Sequence, residues 1–357
     1  MVLSQIYLKN FRLFDELNLK LSQKTLLSGT NGSGKTSILE ALNVLLDGSS
    51  HRTKDSSECI TEGKGGFKLG LKGGLDSKSL VIKATKTINT RIAFERKKGA
   101  LKGKIKDLPI AINILASHLR MIEGEPELRR DFFNKTMFHV EHGSKKAYQE
   151  YLKTLVQRNR ALKGKLPGRE LNIWTEKLKQ AGIILNESNI SFFYKLKKSL
   201  FDSFKEKNLE ESLPFLRDIE INFYQGWNRE KELESLLHEN LHKDKAIGFT
   251  SGGPHRFDLI IGIRKKSAKS VLSRGQQKLL ILLIILNTEN LIIKENKGGI
   301  LFLIDDIASE MDKLNLEKVL EEISLIQSQA ILTTIRENII DNRDDILSKF
   351  KQINLKK

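Results

Sequence analysis

Lys35 and Thr36 close the run Gly29-Thr30-Asn31-Gly32-Ser33-Gly34-Lys35-Thr36, whose spacing fits the G-x-x-x-x-G-K-S/T pattern of a loop that wraps phosphates. Amides from Gly32 to Thr36 would point at phosphate oxygens at a helix N-terminus, where the helix dipole favours an anion. In that chemistry Lys35 reaches the outer phosphates, and the Thr36 hydroxyl completes the shell of the Mg2+ that accompanies ATP; Ser37 ends the nucleotide-binding run. A Gly-rich turn with an incidental lysine is the plainer alternative. The setting weighs against it, because apolar Thr25 to Leu27 reads as a strand leading in and SILEALNVLL as the helix leading out.

Two carboxylates supply the other half of such a site. Ile300 to Ile304 are five apolar residues in a row, the pattern of a central strand covered on both faces, and Asp305 and Asp306 follow abruptly. Ligands of such sheets bind outside the carboxyl ends of the strands, so Asp305 is placed to hold Mg2+ directly or through water. Asp306, one residue farther on, is placed to orient or deprotonate an attacking water. A strand followed by a solvated acidic turn gives the same pattern without function; coupling to the loop at Gly29 disfavours it.

The third string, VLSRGQQK from Val271 to Lys278, precedes the apolar stretch LLILLIIL, which is too short to span a bilayer and reads as a buried helix. Leu272, Ser273, Gly275 and Gln276 resemble the LSGGQ signature of ABC ATPases, with Arg274 in place of one glycine. The resemblance implies that Ser273 and the Gly275 amide meet the γ-phosphate of ATP held by a second subunit. Ser273 is therefore counted with Lys35 and Asp306 as catalytic, and Gly275 and Gln276 with the nucleotide-binding residues.

Along nearly the whole chain, further segments resemble the RecF family of SMC-like, ABC-type ATPases. These are the N-terminus through SSHRT, then IEGEPELRRDFFN, YLKTLVQRNRALKG, FTSGGPHRFDLII, VLSRGQQKLL, LFLIDDIASEMD and QAILTTI, in the order that family uses. GGPHR and the R-x-x-F-N element have no general ATPase rationale, so they separate this family from its relatives. The resemblance implies an α/β head, with a mixed sheet bearing the phosphate loop and the signature, and an inserted helical lobe. It implies that Asn10 and Arg12, with Phe11, lie near the adenine and phosphates, and that Ser309 to Asp312 line a dimer seam. His51 and Arg52 match its S-H-R-T segment, where an arginine faces phosphate, DNA or only solvent. It further implies an ATP-dependent homodimer that binds single-stranded and gapped duplex DNA without base preference. The partners it implies are RecR, with RecO nearby, in SOS-linked gap repair and recombinase loading.

Departures from the ABC pattern have consequences. Asp306 stands where most ABC ATPases have Glu, and its shorter reach implies slow hydrolysis. QAILTTI ends in Thr333 and Thr334 where transporters place a switch histidine, and a hydroxyl can sense phosphate without acting as an imidazole. ILASHLRMIEG lacks the glutamine usual at the lobe joint. The alternative reading is another ABC- or SMC-type module, such as a transporter ATPase, which binds no DNA.

The 357 residues allow a sizeable core, and the expected organisation is a head in two parts, 1–143 and 214–357, around a helical lobe at 144–213. Cys59 is the single cysteine, which excludes internal disulfides. With no signal-like start and no apolar run approaching a membrane span, a cytoplasmic protein is expected. Net charge is +17, from 61 basic and 44 acidic residues, which favours polyanionic partners or reflects codon bias toward lysine. Between Lys68 and Lys106 the alternation of VIKATKTI predicts a sheet face made basic by Lys83, with Val81 facing elsewhere; lysines that merely blunt exposed edges are the competing explanation. From Lys145 to Leu213 the three- and four-residue spacing of Tyr148, Tyr151, Leu152 and Leu155 predicts helices, with KGKLPGRE as the turn of a helical hairpin and the aromatic residues as core. His255 and Arg256 of GGPHR either face phosphate or a partner, or serve a tight turn. No zinc-type cluster and no triad-like nucleophile appears, which leaves phosphoryl transfer to water as the chemistry.

Overall fold

The computed structural model describes residues 2–75, 78–99, 101–102, 108–164, 168–295, 298–335 and 344–355. They form two compact units, Met1–Leu119 with Arg274–Lys357, and Arg120–Ser273. Before the second unit come strands β1 (Val2–Phe11), β2 (Phe14–Lys20), β3 (Lys24–Ser28), β4 (Gly66–Leu75), β5 (Lys78–Thr87), β6 (Ala93–Lys98), β7 (Leu101–Lys102) and β8 (Ile110–Ile114). The second unit holds β9 (Ile219–Tyr224), β10 (Asp258–Ile263) and β11 (Lys266–Ser267), and the chain returns with β12 (Ile300–Ile304), β13 (Gln329–Thr334) and β14 (Lys351–Asn354).

In the first unit, β2-β1-β4-β5-β6-β7 make an antiparallel sheet, and β14-β3-β13-β12-β8 make a sheet whose pairs are all parallel. The central strand β12 is apolar throughout, as burial on both faces requires, and every residue of β3, β12 and β13 is buried. Helix α1 (Lys35–Asp47) lies in the core shared by both sheets: Ile38, Leu42 and Leu45 pack with Leu69 and Ile82 from one and Leu27, Leu303 and Ile331 from the other. A helix covered on several sides must be apolar around most of its circumference, which explains SILEALNVLL.

The apolar run after the signature extends into a 22-residue helix, Arg274–Glu295, longer than the eight residues visible as a run and apolar enough to cross a membrane. Leu279 to Leu286 are instead buried within the protein, with the neighbouring elements β12 and the helix Lys313–Leu325.

The second unit spans 120–273, so it takes in the helical stretch 144–213 together with residues on both sides. Of its helices α2 (Pro126–Val140), α3 (Ser144–Lys163) and α4 (Gly168–Glu206), α2 and α4 pack with the antiparallel sheet β11-β10-β9 and α3 packs along α4. Phe133 contacts the rings of Phe192, Phe223 and Phe257, a core cluster at centroid distances of 4.8 to 5.9 Å. Tyr151 and Phe193 are likewise buried, while Tyr194 is exposed. Arg158, fully buried, donates to Asp244 at 2.8 Å and Thr250 at 2.7 Å, so its charge is paired inside the unit. The hairpin turn expected at KGKLPGRE falls between α3 and α4, and its residues 165–167 lie outside the described residues.

His255 sits in the short turn Pro254–Arg256 of the same unit. Its Nε2 faces the Thr250 carbonyl at 3.2 Å and must donate there, which leaves Nδ1 to accept from the Tyr151 hydroxyl at 2.7 Å. Burial pushes its pKa down to about 4, so the ring is neutral at pH 7. Of the two roles open to GGPHR, the structure gives His255 the architectural one.

Candidate nucleotide site

The carboxyl ends of β3, β13 and β12 lie side by side, and each delivers one component. From β3 the chain enters the glycine loop. Gly29, Gly32 and Gly34 have φ of 152, 79 and 92°, values that disfavour any side chain. At Gly34 space is equally decisive, because a Cβ would lie 2.3 Å from the Phe14 ring, where the β1–β2 hairpin covers the loop. Lys35 is buried and reaches back across the loop to the carbonyls of Gly29 and Thr30, at 2.7 and 2.8 Å. Burial pulls its pKa below the usual lysine value, while the charges of Asp306 and Asp305 oppose the shift. Thr30, Asn31 and Gly32 are exposed at the tip, Ser37 is buried in α1, and the Ser33 hydroxyl is buried with no hydrogen-bond partner.

Asp305 collects hydroxyls from two sides. Thr36 Oγ1 lies 3.1 Å from both carboxylate oxygens, and Thr333 Oγ1 donates to Oδ1 at 2.7 Å. The same Thr333 oxygen accepts the Asp306 amide at 2.8 Å, and the Asp305 amide donates to Ile114 of β8. Asp306 itself adopts φ 50°, a left-handed conformation costly for a residue with a Cβ. Thr333, which sequence reasoning placed at the switch position, thus spends its hydroxyl on the acidic turn.

Lys278 is a site residue that sequence reasoning passed over. It is buried, and its Nζ donates to the carbonyls of Asp306 at 3.2 Å and Ser309 at 2.5 Å. Its only visible signal was a lone lysine ahead of an unbroken apolar run. Gly275 packs where a Cβ would meet Asn315 Nδ2 at 3.1 Å and the Asp312 carboxylate at 3.5 Å, so the signature glycine abuts the Ser309–Asp312 segment of its own chain. Ser273, the last residue of the second unit, is exposed, and Gln276 is half-buried.

Asn10 and Arg12 flank the hairpin tip, both with positive φ. The Arg12 guanidinium is committed to α1, where it donates to both Glu40 oxygens at 2.6 and 2.8 Å and to the Glu58 carbonyl at 2.7 Å. Glu40 is fully buried. Burial alone would raise its pKa, but hydrogen bonds from Arg12 and Ser50 carry it below the usual carboxylate value. Arg52 approaches the same carboxylate at 3.5 Å, and both His51 ring nitrogens are buried without partners. Sequence reasoning overlooked Glu40, whose counterion lies 28 residues away.

These residues fit a Mg2+-nucleotide. Gly29 and Gly34 leave no room for side chains, the buried Ser33 hydroxyl lacks a protein partner, and a hydroxyl and a carboxylate converge at Thr36 and Asp305. Among the described residues no three His, Cys, Asp or Glu side chains cluster as a metal cage. Mg2+ in nucleotide sites takes few protein ligands and completes its shell with phosphates and water.

A phosphate loop and an acidic turn, on strands separated by one intervening strand, with most of an antiparallel sheet and an inserted unit between them along the chain, define an ABC-type ATPase head of the SMC kind. The match to the family model "RecF/RecN/SMC N terminal domain" covers residues 2–356, and the chain belongs to this family, on its RecF branch. The DNA replication and repair protein RecF of Pseudoalteromonas translucida (strain TAC 125) is 30% identical over 341 residues, 94% of this chain and 92% of its own. Its counterpart in Colwellia psychrerythraea (strain 34H) is 30% identical over 93% of this chain and 87% of its own. Among solved structures, the recombination mediator protein RecF with ATP, of the RecFOR pathway, superposes with a TM-score of 0.75 at 23% identity, covering 95% of this chain and 93% of that one. An Smc head bound to the C-terminal winged-helix domain of ScpA superposes with a TM-score of 0.54 at 15% identity, over 96% and 92%. Both likenesses concern the fold.

Proposed function

We propose that the chain is a slow, ATP-driven DNA clamp acting in replication-linked gap repair. The observation that carries this reading is the convergence of Thr36 and Thr333 on Asp305, with Asp306 held one residue beyond. Lys35 and the amides of Gly32 to Thr36 bind the phosphates of ATP, and Asn10 and Arg12 lie at the nucleotide's edge, near adenine and phosphates, with Arg12 held there by Glu40. Thr36 and Asp305 hold Mg2+, which when bound neutralises charge on the phosphates. Asp306 orients the attacking water and accepts its proton. Its short side chain makes hydrolysis slow, so the bound state persists.

The signature completes this site only in a second copy. Ser273 is exposed, and Gly275 abuts the Asp312 segment of its own chain, which suits Ser273, Gly275 and Gln276 to the nucleotide of a partner subunit. Two heads would close on two nucleotides, hold single-stranded or gapped duplex DNA through phosphate contacts without base preference, and open after hydrolysis. The solved RecF of the RecFOR pathway supports action with RecR and RecO, and in this reading the dimer helps load recombinase at gaps in SOS-linked repair. A cytoplasmic location belongs to the same reading.

Sedimentation with and without ATP, run in parallel with retention of a gapped duplex, tests it. Wild type should dimerise and retain DNA with ATP, and Lys35→Met should do neither while staying folded. Dimerisation without DNA retention would favour a transporter-type module, and a wild type that stays monomeric with ATP would refute the sandwich.

A further inference from the structure

Alternate residues of the antiparallel sheet turn away from the core, and their charge is one-sided. Among the described residues, Lys9, Lys20, Lys68, Lys72, Lys83 and Lys97 share this outer face with two acids, Glu16 and Glu95. Both acids have neighbours: Glu95 faces Lys83 at 3.5 Å and Lys97 at 3.4 Å, and Glu16 lies close enough to the Tyr7 hydroxyl to add, after burial, to the raising of its pKa. Val81 shares the face, against the expectation from its sequence, whereas Lys86 turns inward and is buried. Lys9 and Lys68 stand directly opposite each other on neighbouring strands. Like charges so placed destabilise a sheet. Blunting an edge does not account for them, since β1 and β4 are interior strands.

At the centre of the face, Tyr7 is paired with Gly70 across β1 and β4. The backbone does not demand glycine there, and a Cβ would rest 3.5 Å from Tyr7 Cβ, an ordinary contact. What the glycine does is leave a groove of about 310 Å³ beside the tyrosine ring, lined also by Lys68, Lys72, Val81 and Lys83. Lysines around an apolar hollow with one aromatic wall combine the two features that hold unpaired nucleic acid, cations for phosphates and a ring for a base. A duplex keeps its bases stacked and offers nothing to the ring.

We infer that this face binds single-stranded DNA, with Lys68, Lys72 and Lys83 on successive phosphates and Tyr7 stacking one base in the hollow over Gly70. The inference deepens the DNA-binding reading above and rests on it.

Fluorescence anisotropy of labelled oligothymidylate against the full-length chain, over a range of KCl concentrations, tests it. Removing three phosphate contacts in Lys68→Ala/Lys72→Ala/Lys83→Ala should weaken binding and lower the slope of log affinity against log salt by about 2. Tyr7→Ala should weaken binding about fivefold or more, with the slope unchanged. Gly70→Val should leave the melting temperature equal or higher, because valine suits a strand, and still weaken binding by filling the hollow. The inference is overturned if wild type binds the oligonucleotide and the triple variant matches its affinity and slope. Duplex binding that exceeds single-strand binding, with Tyr7→Ala silent, overturns the single-strand assignment. A wild type that dimerises with ATP but binds no DNA overturns the functional reading as well, so the two failures are distinguishable.

Discussion

Thr333→Val removes one oxygen from the centre of the site and almost no volume. Thr333 is fully buried, and its hydroxyl makes two bonds, one donated to Asp305 Oδ1 and one accepted from the Asp306 amide. A hydrogen bond to a charged group contributes about 1.5–3 kcal/mol, and an unpaired buried amide costs about 1–3 kcal/mol. The two losses share one turn that can relax, so the sum is an upper bound, and a destabilisation of about 2–4 kcal/mol is expected in equilibrium unfolding by urea. Thr333→Ser keeps the oxygen and loses a methyl, which costs about 1 kcal/mol. The same contrast should appear in hydrolysis. The phosphate loop is untouched, so KM stays near the wild-type value. Freeing the turn from its left-handed conformation misplaces Asp306, and kcat should fall about 10- to 100-fold for Val and little for Ser. If Val is as stable as Ser and retains kcat within about twofold of wild type, the claim that this hydroxyl fixes the two carboxylates is refuted.

Three further outcomes are expected. Glu40→Gln leaves Arg12 without its buried counterion and should destabilise the protein by about 2–3 kcal/mol, less than for a fully buried pair because Arg12 is partly exposed; an unchanged melting temperature would contradict the anchoring role. Lys278→Met strips the Asp306 and Ser309 carbonyls of a donor and should cost about 1–3 kcal/mol and weaken ATP-dependent self-association, which sedimentation would show or deny. His255 has a folded pKa of about 4, below the unfolded value near 6.5, so between these pH values the unfolded chain binds more protons and stability rises with pH. Its contribution is complete above about pH 6.5 and lost as pH falls toward 4, and His255→Gln should flatten that part of the stability profile measured by urea titration at each pH.

The chemistry was legible in the sequence wherever it depends on consecutive residues. Gly29 to Thr36, the strand before Asp305, and the family resemblance all rest on local spacing, and the geometry brings Lys35, Thr36, Asp305 and Asp306 together. What was not legible depends on contacts between distant segments. Glu40 looked like one polar residue in an apolar helix until Arg12 and Arg52 met it, and Thr333 gained its role only because β13 lies between β3 and β12. Alternation along one strand placed Lys83 on an outer face, but the six lysines became one surface only through the pairing register of five strands. The unit boundaries at 119/120 and 273/274 fall in stretches without a change of composition, because they follow from which strands pair and not from local periodicity.

In the proposed sandwich of two heads, one chain cannot complete its own site. Mixing Lys35→Met chains, which lack a working loop, with Ser273→Arg chains, which lack a working signature, and measuring phosphate release tests it directly. Each variant alone should be inactive. An equal mixture should recover activity that neither variant shows alone, because each mixed dimer holds one intact composite site, built from the loop of one chain and the signature of the other. A mixture as inactive as its components, or a Ser273→Arg chain that hydrolyses ATP at the wild-type rate, would contradict the account.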